Sequence, residues 1–159
     1  MNATDVLRYG QLTFLAGLDR LSESEWETPG VCGYWSVKQI IAHIASYEAV
    51  LADVLANLTG SNATPALDRF LGNNVAFNDD EVAARASLSP SATLDELRAE
   101  HDRAMALVGI IPVETLRSTG IIPWYGDEYS IEDLIVYQYY GHKREHVAQI
   151  WVFRDHLAG

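Results

Sequence analysis

The feature that most restricts the fold is a long apolar stripe that begins at a helix-capping signal. Ser36 and Gln39 have the spacing of a capping box, in which the first and fourth residues satisfy each other's backbone N–H groups. Apolar residues then recur at helical spacing as far as Gly60: Ile40, Ile41, Ile44, Tyr47, Leu51, Val54, Leu55 and Leu58. The stripe predicts a helix with one face turned towards a core.

Three other stretches show the same periodicity and predict helices over residues 4–21, 93–109 and 130–156. The expected N-terminal caps of these helices are Thr4, Thr93 and Ser130. The intervening segments predict a loop at 60–74, a short helix at 74–87 and irregular structure at 110–129. No stretch alternates apolar and polar residues in the manner of a strand. The chain is therefore predicted to be a single all-α domain over residues 1–159, a bundle of four principal helices.

The amino-acid composition and net charge limit the classes of function that the chain can have. Eleven basic and twenty-two acidic residues give a net charge of −11, which disfavours binding to nucleic acid or to anionic membranes. The single cysteine, Cys32, excludes an internal disulfide framework and a cysteine-based zinc site. Neither a signal peptide nor an uninterrupted apolar run of about 20 residues is evident. We expect a cytoplasmic protein with a small-molecule substrate.

Three histidines lie on predicted core-facing stripes. His43 belongs to the helix that begins after Ser36, and His142 and His146 lie one turn apart on the last helix. Neighbouring helices of a bundle can bring such rings to one divalent ion and leave coordination positions open. Zinc, nickel and ferrous iron all suit three imidazole ligands. An ion held in this way lowers the pKa of bound water or thiol.

A structural interpretation of these histidines stays open. A histidine on an apolar helix face is often a hydrogen-bonded core residue, so a bundle whose histidines bind no metal is the alternative. The remaining two, His101 and His156, stand among charged neighbours and are expected to be solvated.

Two residues near this group are further candidates for catalysis. Glu145 can act as a base or support a ligand, although a solvent-facing position fits its place on the helix better. The hydroxyl of Tyr139, or of a neighbouring tyrosine, can reach water on the metal. The aromatic residues before the last helix predict either a pocket wall, a plug at the end of the bundle or a dimer contact: Trp124, Tyr125 and Tyr129.

Two motifs together resemble a known superfamily. The run Trp-Ser-Val-Lys-Gln-Ile-Ile-Ala-His-Ile-Ala-x-x-Glu, residues 35–48, resembles the second-helix signature of the DinB/YfiT superfamily. The run His-Lys-Arg-Glu-His-Val-Ala-Gln-Ile, residues 142–150, is similar to its C-terminal helix. The resemblance implies an antiparallel four-helix bundle with a long crossover and short additional helices, often a homodimer. It also implies a three-histidine metal site, here His43, His142 and His146.

The resemblance implies several activities. Superfamily members include thiol-dependent transferases that use bacillithiol, mycothiol or glutathione, together with isomerases and hydrolases. We therefore expect a metal-dependent thiol S-transferase or hydrolase that acts on a small electrophilic compound. The alternative is a stress or resistance protein that binds and sequesters a small molecule in the bundle cavity without catalysis.

Overall fold

A computed structural model describes residues 2–73 and 75–158 of the chain. Within these residues no strand is formed, and the only strand-like pairing is an isolated bridge between Cys32 and Trp35. The α-helices are α1 Ala3–Gly17, α2 Val37–Leu58, α3 Pro65–Gly72, α4 Phe77–Ala84, α5 Pro90–Val108, α6 Val113–Arg117, α7 Ile131–Leu134 and α8 His142–Ala158. A π-helical segment, Ile135–Gly141, joins α7 to α8, and these three pieces are called the C-terminal helix below. The predicted all-α fold is confirmed.

Two of the predicted helix starts are confirmed in detail. Ser36 accepts a hydrogen bond from the backbone N–H of Gln39, and the Gln39 side chain accepts one from the N–H of Ser36. Ser130 and Asp133 make the same reciprocal pair at the start of α7. Each pair satisfies N–H groups that a helix start otherwise leaves without a partner.

The other two predicted caps are wrong, because in each case an earlier residue takes the position. Asn2 caps α1, so Thr4 lies inside the first turn. Ser89 caps α5 and Pro90 occupies its first turn, where a missing N–H does no harm. Thr93 is consequently buried within the helix.

The predicted loop at 60–74 is also wrong, since it contains α3. Asp53 of α2 is fully buried, and its carboxylate accepts hydrogen bonds from the N–H groups of Ala66 and Leu67 at 2.6 and 3.2 Å. Arg103 of α5 donates to the same carboxylate at 2.7 Å. A distant side chain thus stabilises the start of α3, a contact that local sequence does not reveal. Of the short helix predicted at 74–87, α4 forms the central part, and Asn74 lies outside the described residues.

The long crossover makes two neighbouring helices parallel. Glu48 of α2 pairs with His101 of α5, and Asp53 of α2 pairs with Arg103 of α5. Because residue numbers increase together along the two helices, α2 and α5 run in the same direction. The C-terminal helix likewise runs parallel to α1, with Gly10 against Tyr140 and Gly17 against Val147. The two parallel pairs run in opposite directions: the N-terminal half of α2 packs with the C-terminal half of α1. Residues 59–89, which contain α3 and α4, span the bundle between α2 and α5.

A layer of polar side chains divides the apolar core into two clusters. One cluster centres on the middle of α2 and the start of the C-terminal helix, and the other on the start of α2 and the end of α1. Every principal helix contributes to the layer between them: Gln11, His43, Glu48, His101, His142, Lys143 and His146. Buried polar groups require partners, so this layer is where a specific site is expected.

One helix, α2, is long and apolar enough to cross a membrane by length and composition alone. In the bundle, 89% of its most apolar window is buried by the rest of the chain. Its apolar character is therefore accounted for by its central position in the core.

Candidate metal centre

The structure brings the three predicted ligands, His43, His142 and His146, to one point. The Nε2 atom of His142 lies 2.9 Å from that of His43 and 3.0 Å from that of His146. One nitrogen from each ring lies within 4.8 Å of the other two. His43 and His146 are buried and His142 is half-buried. This group can hold a metal ion.

The hydrogen-bond chemistry of the three rings fits a cation between them. Nε2 of His142 faces two other Nε2 atoms and carries at most one proton, so it can donate to only one of them. Nδ1 of His146 lies 2.9 Å from Oε1 of Gln149, which fits Nδ1–H donation and leaves the Nε2 lone pair free. Nδ1 of His43 is buried and has no hydrogen-bond partner among the residues that the structure describes. Three converging lone pairs are better satisfied by a divalent ion than by one shared proton.

The surroundings keep all three rings neutral. Burial, followed by the proximity of His142 and His146, lowers the pKa of His43 to about 2. Burial and the neighbouring His146 lower the pKa of His142 to about 4, and burial also lowers the pKa of His146. Neutral imidazole is the form that binds a metal, so the site is ready for an ion at physiological pH.

These shifts predict an acid-sensitive metal-free protein. Between the ordinary histidine pKa of 6.5 and the folded pKa of about 4 for His142, the unfolded chain binds more protons than the folded one. The free energy of unfolding should therefore be highest above pH 6.5 and should decrease as the pH drops towards 4. Denaturant unfolding of metal-free protein at several pH values measures this. His142→Gln should lose less stability over the same range; an equal loss in both proteins would contradict the assignment.

Two aromatic rings enclose His43. The ring centroid of Trp35 lies 5.0 Å from that of His43, and the centroid of Tyr47 lies 4.9 Å away. Tyr47 also contacts the ring of His142 at 4.9 Å, and its hydroxyl donates to the side chain of Asn78 at 3.3 Å. Sequence reasoning missed Tyr47 as a site residue, although its position one turn after His43 was the available signal.

A buried ionic network lies beside the three histidines. The carboxylate of Glu48 is fully buried between Lys143, at 2.5 Å, and Nδ1 of His101, at 3.0 Å. Lys143 also donates to the side chain of Gln11 at 2.8 Å. Burial alone would raise the pKa of Glu48, but the charge of Lys143 and the contact with His101 outweigh it and lower that pKa to about 2. The network joins all four principal helices.

The prediction that His101 is solvated is wrong, because the charged neighbours in its sequence lie on another face of α5. His101 is 7% exposed and faces α2. The spacing of Leu97, His101, Ala104 and Val108 follows the buried stripe of this helix and was the signal available in the sequence. His156, in contrast, is exposed as predicted.

The other candidate residues lie at the edges of the site. Glu145 is exposed on α8, next to His146. Tyr139 is buried, and burial raises its pKa well above the ordinary value, so its hydroxyl stays protonated. Among the described ring contacts, it is Tyr47 rather than Tyr139 that touches the histidines. A catalytic role for Glu145 or Tyr139 stays a prediction.

Two spaces are bordered by the aromatic rings that contact His43. An open groove of about 600 Å³ is bordered by Trp35 and carries charged side chains from three segments: Glu27, Lys38, Asp79 and Arg85. A smaller cavity of about 150 Å³ is bordered by Tyr47. Of the aromatic residues predicted to wall a pocket, Trp124 and Tyr125 line this cavity, and Tyr129 packs behind Tyr125 at 5.1 Å.

Comparison with known proteins supplies the family. Residues 11–120 match the family model described as the mycothiol maleylpyruvate isomerase N-terminal domain. The matched segment includes His43 and Glu48 and ends before His142 and His146. No curated protein and no solved structure matched the chain. Because the family model covers 110 of the 159 residues, the chain belongs to the mycothiol maleylpyruvate isomerase N-terminal domain family, and with it to the DinB/YfiT-like superfamily that the two motifs resemble.

Proposed function

We propose that this protein is a metal-dependent enzyme that transfers a low-molecular-weight thiol to a small electrophilic compound. The observation that carries the proposal is the convergence of three neutral histidine Nε2 atoms. Two separate spaces lie nearby, and each is bordered by an aromatic ring that contacts His43. Zinc, nickel and ferrous iron all fit this donor set. The family name, which refers to mycothiol, supports a thiol as co-substrate and makes mycothiol the first choice.

A bound divalent ion would supply a positive charge that lowers the pKa of a thiol or water beside it. Side chains around the three histidines would orient the metal ligands and the two substrates. Gln149 holds the ring of His146 so that Nε2 faces the other two histidines. Trp35 and Tyr47 cover His43 on two sides and limit the access of water. The polar groove beside Trp35 suits a hydrophilic thiol, and the cavity beside Tyr47 suits the second substrate.

The proposed step balances without an oxidant or reductant. The thiol sulfur forms a bond to the electrophilic carbon, and the thiol proton passes to water or to a side chain. The electron pair of the broken bond departs with the leaving group. Glu145, exposed next to His146, is the candidate proton acceptor. Hydrolysis would follow the same scheme with water in place of the thiol.

The test is multiple turnover. Protein loaded in turn with zinc, nickel or ferrous iron is mixed with excess mycothiol, bacillithiol or glutathione and with iodoacetamide or benzyl chloride, and the thioether is quantified. We expect many equivalents of thioether per chain with one of these thiols. In His142→Ala the rate of thioether formation should be at least 100-fold lower. His156→Ala, on the exposed end of α8, is the control and should retain the rate.

The alternative function is a binding protein that sequesters a small toxic compound. The aromatic cavity beside Tyr47 favours it, because such a cavity can hold a ligand without chemistry. In the same assay, a binding protein should withhold one equivalent of electrophile per chain from reaction with the thiol. No thioether should form beyond the uncatalysed background. A homodimer and a cytoplasmic location stay predictions.

A further inference from the structure

The cavity beside Tyr47 has a composition that selects its ligand. It lies between α2, α3, the segment before α7 and the π-helical turn. Among the described residues, nine line it and none of these carries a charge: Tyr47, Val50, Phe70, Leu71, Trp124, Tyr125, Leu134, Gln138 and Tyr139. A carboxylate or phosphate entering it would lose part of its hydration without meeting a cation, which is unfavourable. The cavity therefore fits a neutral ligand.

Its walls are aromatic rings set edge to face. Phe70 stands at the centre, with its ring centroid 5.8 Å from Tyr47 and 5.9 Å from Trp124, at interplanar angles of 69° and 74°. Trp124 in turn lies 6.1 Å from Tyr125. Rings arranged in this way present both faces and edges, which suits a further aromatic ring.

Its size fits one ring. A cavity of about 150 Å³ is the volume at which an apolar protein cavity binds benzene. Gln138 and three tyrosines are among the lining residues and part of the lining surface is polar, so a ring that carries one hydrogen-bonding group fits better than a plain hydrocarbon.

The π-helical segment Ile135–Gly141 connects this cavity to the histidines. It contributes Gln138 and Tyr139 to the lining, and His142 is the next residue after it. A π-helical turn widens the helix and frequently lies at a functional site. Tyr47, on the facing helix, has its ring in the cavity wall and in contact with both His43 and His142. A ring in the cavity is therefore separated from the histidines by one side chain.

We propose that this cavity binds a neutral, single-ring aromatic compound with one hydrogen-bonding substituent, and that Tyr47 is the positioning residue between that ring and the three histidines. The inference rests on the proposed function only where it identifies this compound as the electrophilic substrate. Binding to the cavity itself requires neither the metal nor the thiol.

The experiment measures binding of phenol to metal-free protein by calorimetry or by NMR titration. We expect a Kd of about 1 mM or tighter, a range accessible to a ligand of this size. Val50→Phe, which fills the cavity from α2, should weaken binding at least tenfold. Val113→Phe makes the same change at a half-exposed position on α6 and should leave binding unchanged. Benzoate, of similar size but charged, should bind at least tenfold more weakly than phenol.

A second variant guards against misfolding of Val50→Phe. Leu71 lines the cavity but is 47% exposed, so Leu71→Trp can narrow the entrance without strain in the core. No phenol binding by wild-type protein, benzoate binding as tight as phenol, or undiminished binding in both variants would overturn the inference.

The substrate assignment is tested separately in metal-loaded protein. Val50→Phe should raise the KM for phenacyl chloride, a neutral single-ring electrophile whose carbonyl oxygen accepts a hydrogen bond, and leave the KM for iodoacetamide and for the thiol unchanged. Tyr47→Phe should retain activity and Tyr47→Ala should lower kcat for phenacyl chloride, because the ring rather than the hydroxyl sets the position. Phenol binding without any turnover would refute the proposed enzyme and leave the cavity assignment standing. Turnover with equal KM values in wild type and Val50→Phe would refute the substrate assignment and leave the proposed enzyme standing.

Discussion

Protein purified without a histidine tag, stripped of metal and reloaded, should hold close to one divalent ion per chain, and His146→Ala should bind that ion at least about 100-fold more weakly. We expect this because three neutral imidazoles converge: Nε2 of His142 lies 2.9 Å from Nε2 of His43 and 3.0 Å from Nε2 of His146. Removing one of three ligands leaves two nitrogens, which seldom retain an ion. Mass spectrometry of dialysed protein measures the metal content, and titration against a competing chelator gives the affinity.

The control is His156→Ala, since His156 is exposed near the end of the same helix and faces none of the ligands. Gln149→Leu is an intermediate case: it removes the partner of Nδ1 of His146 and should weaken binding by about 10-fold to 100-fold. Wild-type protein that stays empty after incubation with zinc, nickel and ferrous iron would refute the metal site. The three histidines would then be residues of a polar core, and the sequestering protein would be the better proposal.

Replacing Glu48 with alanine should destabilise the protein by about 3–5 kcal/mol, the range for removal of one partner from a buried ion pair. The carboxylate is fully buried and contacts Lys143, which is 2% exposed, and His101, which is 7% exposed. Without it, a buried ammonium group has only the neutral side chain of Gln11 as a described hydrogen-bond partner. Denaturant unfolding monitored by circular dichroism measures the change.

Glu145→Ala is the matched control, since this residue is exposed on α8 and should change stability by no more than about 0.5 kcal/mol. Glu48→Gln adds a test by pH. Because the folded pKa of Glu48 is lowered from 4.5 to about 2, its contribution to stability is complete above pH 4.5 and is lost as the pH falls towards 2. The difference between wild type and Glu48→Gln should therefore shrink over that range. A difference that is constant with pH would contradict an ionised Glu48.

The helical class and the three metal-ligand candidates could be predicted from the amino-acid sequence. Capping boxes act over three residues, so Ser36 and Ser130 could be recognised without knowledge of the fold. The stripes that placed His43, His142 and His146 towards the core depend only on helical periodicity. Their convergence could be expected because neighbouring helices in a bundle turn their apolar faces to one another.

Features that depend on contacts between distant segments could not be predicted from the sequence and became visible in the folded chain. The start of α3 is stabilised by Asp53, on a different helix, so its sequence was interpreted as a loop. The burial of His101 follows from a partner 53 residues away, Glu48, whereas its immediate neighbours are charged. The neutral cavity beside Tyr47 is assembled from four separate segments of the chain. Local propensity acts over a few residues, and these features arise only when packing brings remote side chains together.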